Sequence, residues 1–446
     1  MTDTRRLLMV ANYFPPMASG GIARQLRFLR YLPEYGWQTT VLSCKATGPV
    51  PDPYGVRIVR AAAPGPESAY ALARRLAPSR AGSDRRTPAG PADPAGLAVA
   101  QRPFGRRAWV NDWFFVPDQY MGWIPFGVLK GRELLRAERY DAILSSYPRG
   151  STHLIAAALA AGTGLPWLAD YRDPWPTHQF RKPPTRLHRM AHFWLEAWAL
   201  QHAKVITATN EPIAADLRRR YPRLASDVHV LPNGFDRAED VQPVTLGDGF
   251  WLVHTGRLYS RGDKVLELLN ALARLSDDVK VCFVGVDGPR IMTHAQAIGV
   301  AHRVRVEPFV QRPVALGYQR AADGLLLITG EAPEALSSKI FEYLVAGRPV
   351  FALTPSYSCA SELLHESGGG VVVDSGGAHA LAGALADFVG RVRAGELGAA
   401  DPAVVDRYDG RILTGQLTGY LDEMIATSDA TRPASGATGT RGAARG

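Results

Sequence analysis

The hydrophobic positions of the first fifty residues predict a strand, a helix and a second strand. Residues 7–11 form an uninterrupted apolar run, and residues 22–35 carry a leucine at every third position from Leu26 to Leu32. Residues 38–43 then return to a short run rich in β-branched side chains. A strand, helix and strand in this order indicate a parallel βαβ unit with a right-handed connection.

The same alternation continues through the rest of the chain and falls into two sets. In the first half, further strands are predicted at residues 141–145, 166–169 and 204–208, with a helix at 153–161. In the second half, strands are predicted at residues 250–255, 279–284, 304–309, 324–328 and 350–353, with a helix at 264–275. This alternation is typical of doubly wound sheets, so we predict an α/β protein with two Rossmann-like domains facing a cleft.

The length of the chain supports two domains. Its 446 residues exceed what one ordinary core accommodates and suit two domains of about 200 residues each. We place the first domain at residues 1–240 and the second at 245–405. Residues 62–106 are dominated by Ala, Pro, Gly, Arg and Ser and are predicted to be a mobile insertion. Residues 426–446 are small, polar and repetitive, which predicts a disordered tail.

The composition, with 46% hydrophobic and 21% charged residues, is that of a globular protein. Cys44, Cys282 and Cys359 lie far apart and show neither the spacing of a disulfide framework nor that of a zinc site. The apolar run at residues 7–11 is too short for a signal peptide or a membrane span, and no other run approaches twenty apolar residues. We therefore expect a cytoplasmic protein.

The formal net charge of +9 favours anionic partners. Arginines are frequent at residues 74–107, at residues 181–189 and in the C-terminal tail. Basic and aromatic residues do not interleave on the predicted strands in the way that binds RNA, so we do not expect a nucleic-acid partner. Two explanations for the charge stay open: peripheral contact with an anionic membrane, or solubility combined with a pyrophosphate-bearing substrate.

Residues 334–350 carry the strongest chemical signal in the sequence. Glu334 and Glu342 flank the start of a predicted helix that Ser337 or Ser338 can cap. The open amino end of such a helix attracts anions through its backbone N–H groups and its dipole. Glu342, one turn into the helix, lies where a carboxylate can accept hydrogen bonds from ribose hydroxyls. Taken alone, the segment is explained equally well as an exposed acidic loop and helix face.

This Glu-x7-Glu spacing, followed by Gly-Arg-Pro-Val, resembles the donor-site signature of retaining glycosyltransferases with the GT-B fold, especially glycosyltransferase family 4. Four further stretches resemble landmarks of bacterial members that build polysaccharides or natural-product glycosides. In order, they are Asp141-Ala-Ile-Leu-Ser-Ser-Tyr-Pro148, Ser151-Thr-His-Leu-Ile155, Pro166-Trp-Leu-Ala-Asp-Tyr-Arg-Asp-Pro-Trp175 and Pro232-Asn-Gly-Phe-Asp236. The resemblance implies a nucleoside diphosphate sugar as donor, no cofactor and no metal ion. It also implies a closing helix, at residues 406–425, that returns to the first domain.

The resemblance further implies roles for individual residues. Arg257, Arg261 and Lys264 correspond to cations that hold the diphosphate, while Glu342 binds the ribose and Glu334 contacts the donor sugar. The other donor-side candidates are Phe309 and Val310, which frame the base, and Ser337, Ser338 and Lys339 at the helix start. No Asp-x-Asp stands in a context suited to metal binding.

In the first domain, His153 and Asp173 are the candidates for catalytic helpers beside the acceptor. A capping or half-buried histidine and a turn-forming aspartate are the alternative interpretations. Many family members carry a histidine near the end of the strand where this sequence has Asp170-Tyr-Arg-Asp-Pro, so no histidine role is transferred to that position. Gly20 and Gly21 can bring the backbone close to a ligand, although a plain tight turn explains them equally.

We predict a metal-independent retaining glycosyltransferase. Its acceptor hydroxyl would belong to a glycan, a lipid-linked sugar or a small-molecule glycoside. The anomeric configuration would be retained because the acceptor hydroxyl attacks the anomeric carbon on the same face as the leaving phosphate, which accepts the hydroxyl proton. A covalent glycosyl-glutamate intermediate is the alternative. Two other functions on the same fold stay open, a sugar-nucleotide 2-epimerase and a catalytically inactive partner protein.

Overall fold

The computed structural model describes residues 4–12, 14–15, 22–44, 53–65, 112–177, 183–258, 262–286, 288–334, 336–374 and 376–430. Most of the predicted insertion at 62–106 and the end of the tail lie outside the described residues. Gly20, Gly21 and Arg261 also lie outside them, so the roles of these three residues stay predictions. Within the described ranges, no helix is both long enough and apolar enough to cross a membrane.

The first unit is a seven-stranded parallel sheet flanked by helices. Its strands are β1 Arg5–Ala11, β2 Trp37–Cys44, β3 Arg57–Ala61, β4 Ala142–Ser146, β5 Trp167–Tyr171, β6 Val205–Ala208 and β7 Val228–Val230. Its described helices are α1 Ile22–Tyr31, α2 Trp123–Ala137, α3 Gly150–Thr163, α4 Arg186–Leu200 and α5 Glu211–Arg220. The strand order is β3-β2-β1-β4-β5-β6-β7, so the direction of winding reverses between β1 and β4.

The second unit is a six-stranded parallel sheet of the same kind. Its strands are β8 Phe250–Thr255, β9 Val279–Val284, β10 Val304–Glu307, β11 Gly324–Ile328, β12 Val350–Leu353 and β13 Gly370–Val373. Its helices are α6 Gly262–Leu272, α7 Pro289–Ala297, α8 Arg312–Ala321, α9 Lys339–Ala346, α10 Cys359–Ser367 and α11 Ala378–Arg393. The order β10-β9-β8-β11-β12-β13 reverses between β8 and β11. The predicted α/β class with two doubly wound parallel sheets is confirmed.

The central strands are apolar on both faces because helices cover both faces. In β1, Leu8 and Val10 belong to the core on the α3 side, whereas Leu7 and Met9 belong to the core on the α1 side. All four side chains are fully buried. Alternate residues of a strand point to opposite faces, so a strand covered on both sides appears in the sequence as a continuous apolar run.

The chain crosses between the two units twice, and the crossings are hydrogen-bonded to each other. After α12 Pro402–Asp406, helix α13 Gly410–Ala430 packs against α1 of the first unit. The amide of Phe235 donates to the carbonyl of Tyr408 at 3.0 Å, and the amide of Gly410 donates to the carbonyl of Phe235 at 2.8 Å. The two connections therefore run side by side.

Some elements differ from the sequence predictions. Helix α13 continues to Ala430, so the prediction of disorder from residue 426 is wrong for residues 426–430. The predicted helix at 22–35 ends as an α-helix at Tyr31 and continues as the 3-10 helix Leu32–Tyr35. The strands β3, β7 and β13 were not predicted. The helices that were not predicted are α2, α4, α5, α7, α8, α10, α11 and α12.

Substitution of Gly234 tests how closely the two connections between the units are packed. The φ of this glycine is +67°, and an added Cβ would lie 2.4 Å from both the Tyr408 carbonyl oxygen and Leu413 Cδ1. Gly164 has a similar φ of +72°, but an added Cβ there would meet nothing within 4 Å. Gly164→Ala should therefore cost only the left-handed backbone strain, about 1–2 kcal/mol. Gly234→Ala should cost roughly 1–3 kcal/mol more through overpacking. Urea unfolding of both variants measures the difference, and equal losses would contradict the close packing of the two crossings.

Candidate functional site

The carboxyl edge of the second sheet brings the end of β8 against the start of α9. Gly256 follows β8 with a φ of +81°, and an added Cβ would lie 2.8 Å from Lys339 Cε. The Lys339 ammonium donates to the carbonyl of Arg257 at 3.0 Å and lies 3.3 Å from His254 Nε2. A glycine is favoured here because other residues are strained at this φ, and an added Cβ would also displace the end of the lysine side chain. The result is a cation held at the switch point between β8 and β11, where ligands bind in open α/β sheets.

The amino end of α9 lies beside this lysine. Ser338 occupies the N-cap position with helical backbone angles, and its side chain makes no capping hydrogen bond in the described part of the chain. Ser337 Oγ accepts from the Lys339 amide at a long 3.4 Å. The expected serine cap is therefore at most weak. Backbone N–H groups at a weakly capped helix start are well suited to hydrogen-bond an anion.

Glu342, one turn further along α9, is held by two side chains of α8. Its Oε1 accepts from Arg312 Nη1 at 2.8 Å, and its Oε2 accepts from Gln319 Nε2 at 3.2 Å. Gln319 also donates to Thr255 Oγ1 at 2.9 Å, which ties the glutamate to the end of β8. The Glu342 side chain keeps 13% of its surface exposed. Its carboxylate is thus oriented before any ligand arrives.

Arg312 joins this glutamate to the connection between the two units. Its guanidinium donates two hydrogen bonds to Glu239, from Nε at 2.5 Å and from Nη2 at 2.6 Å. Burial alone would lower the pKa of Arg312, but the carboxylates of Glu342 and Glu239 outweigh it and raise the pKa above its usual value. On the first unit, burial together with Arg24 and Arg312 lowers the pKa of Arg27 to about 10. The arginines of the two units therefore influence each other electrostatically.

Glu334 lies where the two units touch. Its carbonyl accepts a hydrogen bond at 3.1 Å from Asn210 Nδ2, which belongs to the first unit. Asn210 is also the N-cap of α5, because its Oδ1 accepts from the Ile213 amide at 3.1 Å. Lys264, one of the predicted diphosphate cations, forms an ion pair with Glu331, three residues before Glu334. The structure thus places Lys264 at the same loop as Glu334.

The candidates for base recognition follow β10. Phe309 is 61% exposed, whereas Val310 packs against the core of the second unit. An exposed aromatic ring after a parallel strand offers a flat apolar surface, as the predicted base-framing role requires. Among the described residues, no group of three or more His, Cys, Asp or Glu side chains is arranged to hold a metal ion.

His153 does not reach the cleft. It lies inside α3, is fully buried, and packs 4.8 Å from the ring of Tyr171, centroid to centroid. Trp167 Nε1 donates to Ser145 Oγ at 2.8 Å, so this hydroxyl can donate onward to His153 Nδ1 at 2.7 Å. Burial lowers the pKa of His153 to about 3, which keeps the imidazole neutral. The burial argues against the predicted catalytic role, and His153 is buried more deeply than the half-buried histidine of the alternative interpretation.

Asp173 follows β5 at the carboxyl edge of the first sheet. Its carboxylate accepts from Arg172 Nη2 at 3.1 Å, and its side chain keeps 33% of its surface exposed. The carbonyl of Arg172 accepts from Thr209 Oγ1 at 2.9 Å, one residue before Asn210. Asp173 therefore lies on the same edge as the contact with Glu334, although the two carboxylates are not joined by a hydrogen bond in the described structure.

Several residues of the site were not found from the sequence. Asp170 accepts from Arg24 at 2.8 and 3.1 Å, and from Ser146 and Thr207 at 2.8 Å each. Burial would raise the pKa of Asp170, but Arg24 and these hydrogen bonds outweigh it and lower the pKa. Asn210 could have been recognised as an N-cap between a strand and Glu-Pro. The partners of Arg24 and Arg312 are remote in sequence and leave no local signal.

Two family models match the chain. The model described as Glycosyltransferase Family 4 matches residues 68–239, and the model described as Glycosyl transferases group 1 matches residues 249–390. No curated protein sequence matches the chain significantly.

Solved structures with the same fold match the chain over nearly its whole length. HepE of Anabaena, solved with UDP, is 15% identical, with 94% of this chain and 100% of HepE covered and a TM-score of 0.63. Sucrose-phosphate synthase of Thermosynechococcus elongatus is 16% identical, with 95% and 100% covered and a TM-score of 0.64. The lipopolysaccharide outer core galactosyltransferase WaaB is 10% identical, with 94% and 99% covered and a TM-score of 0.55. The two glycosyltransferase family models thus match the first and the second unit in turn, and the solved structures show that the two units together have the GT-B fold.

Proposed function

We propose that the protein transfers a sugar from a nucleoside diphosphate sugar to an acceptor hydroxyl, with retention of the anomeric configuration and without a metal ion. The observation that carries the proposal is the placement of Lys339 over Gly256 at the start of α9, one turn before the oriented carboxylate of Glu342. At this spacing, the lysine suits the diphosphate of a nucleoside diphosphate, and the carboxylate can accept hydrogen bonds from its ribose. HepE of Anabaena, which shares the fold, was solved with UDP and with UDP-glucose.

The diphosphate would lie between the amino end of α9 and the loop after β8. There Lys339 contributes a point charge, and the helix start contributes backbone N–H donors and a positive dipole end. Lys264 and Arg257 lie on the same side of the sheet. Lys264 would leave its ion pair with Glu331 and bind the phosphate instead. These groups would stabilise the charge that develops on the leaving diphosphate, the role that a metal ion has in other transferases.

The nucleoside would extend from the diphosphate toward β10. Glu342 would accept hydrogen bonds from the ribose hydroxyls while Arg312 and Gln319 hold its carboxylate in place. Phe309 and Val310 would frame the base. Each carboxylate oxygen of Glu342 accepts one hydrogen bond from Arg312 or Gln319 and keeps a second lone pair available. The ribose can therefore bind without displacing Arg312.

The donor sugar would lie near Glu334, where the two units meet. The acceptor hydroxyl would attack the anomeric carbon from the face of the departing diphosphate. The bond from this carbon to the phosphate oxygen breaks, and the diphosphate receives both the electron pair and the acceptor proton. Glu334 would stabilise the positive charge of the oxocarbenium-like transition state.

The acceptor would approach from the carboxyl edge of the first sheet, where the carboxylate of Asp173 is partly exposed. We propose a glycan, a lipid-linked sugar or a small-molecule glycoside as the acceptor, and the cytoplasm as the location. Asp173 can orient a hydroxyl group, and His153 is not included because it is buried.

A direct test incubates the purified protein with a panel of nucleotide sugars, with and without an acceptor mixture. Acceptor-dependent release of nucleotide is expected, with unchanged activity in the presence of a chelator. NMR of the product should show the anomeric configuration of the donor. An isomerised donor without acceptor would instead identify an epimerase, and no binding of any nucleotide would identify an inactive partner protein.

Lys339→Met should weaken binding of a nucleoside diphosphate by about 1.5–3 kcal/mol, because a charge-assisted contact to phosphate is lost. Lys339→Arg should recover part of the affinity. Lys280→Met is a matched control, because Lys280 is near the opposite end of the neighbouring strand, bonded to the Asp248 carbonyl at 2.7 Å. Isothermal titration calorimetry measures all three variants. Equal affinity for Lys339→Met and Lys280→Met would exclude Lys339 from the phosphate site.

The two glutamates should differ in their kinetic effects. Glu342→Ala should mainly weaken donor binding, by about 1.5–3 kcal/mol, because the ribose is bound equally in the ground and transition states. Glu334→Gln keeps the shape of the side chain but removes its charge, so it should lower turnover more than donor affinity. Donor titration and nucleotide release separate the two effects. Normal turnover of a folded Glu334→Gln variant would show that the donor sugar does not lie at Glu334.

A further inference from the structure

Helix α4 exposes three of its large apolar residues and buries two of its polar ones. Leu187, Met190 and Trp194 are 75%, 64% and 66% exposed, whereas His192 is 5% and Glu196 0% exposed. The three exposed residues follow the spacing i, i+3, i+7 and form one stripe along the helix. A surface helix of a globular protein normally shows the reverse arrangement.

The orientation of α4 is fixed by the polar contacts beneath it. Glu196 forms an ion pair with Arg220 and accepts from the Tyr221 hydroxyl at 2.6 Å. Trp175 Nε1 donates to His192 Nδ1 at 3.2 Å. Rotating the helix to bury its apolar stripe would expose or break these contacts, and unpaired buried charges are costly. The outward apolar stripe is therefore built into the fold.

The apolar surface extends beyond the helix. The carbonyl of Trp113 lies 3.0 Å from His188 Nε2, and the neighbouring Phe114 is 68% exposed. We call Trp113, Phe114, Leu187, Met190 and Trp194 the α4 face. A contiguous exposed apolar surface of this kind marks an interaction site in soluble proteins.

The charges around the α4 face are mainly positive. Arg186 and Arg189 are exposed, and the one acidic residue of the helix, Glu196, is buried. In the sequence, residues 178–190 contain four Lys or Arg residues and no Asp or Glu. Asp112, directly before Trp113, is an exposed carboxylate beside the face, but the arginines of the helix outnumber it. Large apolar side chains bordered mainly by arginines match the boundary between anionic headgroups and acyl chains.

We propose that the α4 face docks on an anionic lipid bilayer, with its apolar stripe inserted below the headgroups and Arg186 and Arg189 against lipid phosphates. Helix α4 follows β5 and leads into β6, so it starts at the carboxyl edge of the first sheet. This edge carries Asp173 and Asn210 and faces the second unit. The docked bilayer therefore lies next to the side of the cleft where acceptors enter.

The test is sedimentation of the full-length protein with vesicles of phosphatidylcholine alone or mixed equally with phosphatidylglycerol. Wild type should bind the anionic vesicles strongly, bind the neutral vesicles weakly, and be released by salt. The triple variant Leu187→Ser, Met190→Ser, Trp194→Ser should lose about tenfold or more of its partition. Ile412→Ser, on α13 with 45% exposure, is the matched control and should bind as wild type does.

A second variant, Arg186→Ala with Arg189→Ala, tests the charges separately and covers the case in which the triple variant fails to fold. It should reduce binding to anionic vesicles and leave nucleotide binding unchanged. Equal binding to neutral and anionic vesicles, or no binding to either, would overturn the proposal. So would self-association of wild type that the triple variant abolishes, because the face would then join two copies of the chain. Nucleotide titration of each variant reports on the donor site independently of these outcomes.

Discussion

Three arginines on one face of α1 hold the segment through which the chain leaves the first unit. Arg24 Nη2 donates to the Leu231 carbonyl at 2.9 Å, Arg27 donates to the Asn233 carbonyl, and Arg30 lies 3.1 Å from the Asp236 carboxylate. Their spacing of three residues places them along one side of the helix. The rest of the two-unit arrangement depends on this contact, because it fixes where the connection begins. Arg24 is itself fixed by its paired hydrogen bonds to Asp170, which is 1% exposed.

The same connection continues directly to the nucleotide side of the second unit. Asp236 and Glu239 are three residues apart, and Glu239 binds Arg312, which in turn binds Glu342. Two sets of charge-assisted contacts, joined by the short turn from Asp236 to Glu239, thus connect α1 to α9. Such contacts are strong when they are shielded from water, and they fix direction as well as distance. The orientation of Glu342 is therefore a property of both units and not of α9 alone.

The sequence predicted the central strands well because each is covered on both faces. β8, β9, β11 and β12 have the predicted boundaries, since each is a mainly apolar run that a glycine or a polar residue follows. The short edge strands β3 and β7 were missed because each is only partly buried and lacks a long apolar run. Helix α4 was missed for a different reason. Leu187, Met190 and Trp194 face outward, so its apolar positions do not form a single buried stripe.

The candidate site was predictable only where its residues are neighbours in sequence. Ser338, Lys339 and Glu342 share one helix, so their proximity followed from periodicity. The contacts of Asp170 with Arg24 and of Glu342 with Arg312 join residues 146 and 30 positions apart, and only the fold reveals them. For His153, by contrast, the sequence suggested a role that its burial argues against. Its position at a predicted helix start favoured a catalytic role, but the depth of α3 beneath aromatic rings removes it from the surface.

The paired crossings at Phe235 and Tyr408 have a mechanical consequence. A single linker would let the second unit rotate in any direction relative to the first. Two linkers that are hydrogen-bonded side by side should restrict this motion mainly to opening and closing of the cleft. Because α13 packs against α1 beyond the second crossing, the C-terminal helix supports this paired connection, and shortening the chain there would change the mechanics of both units.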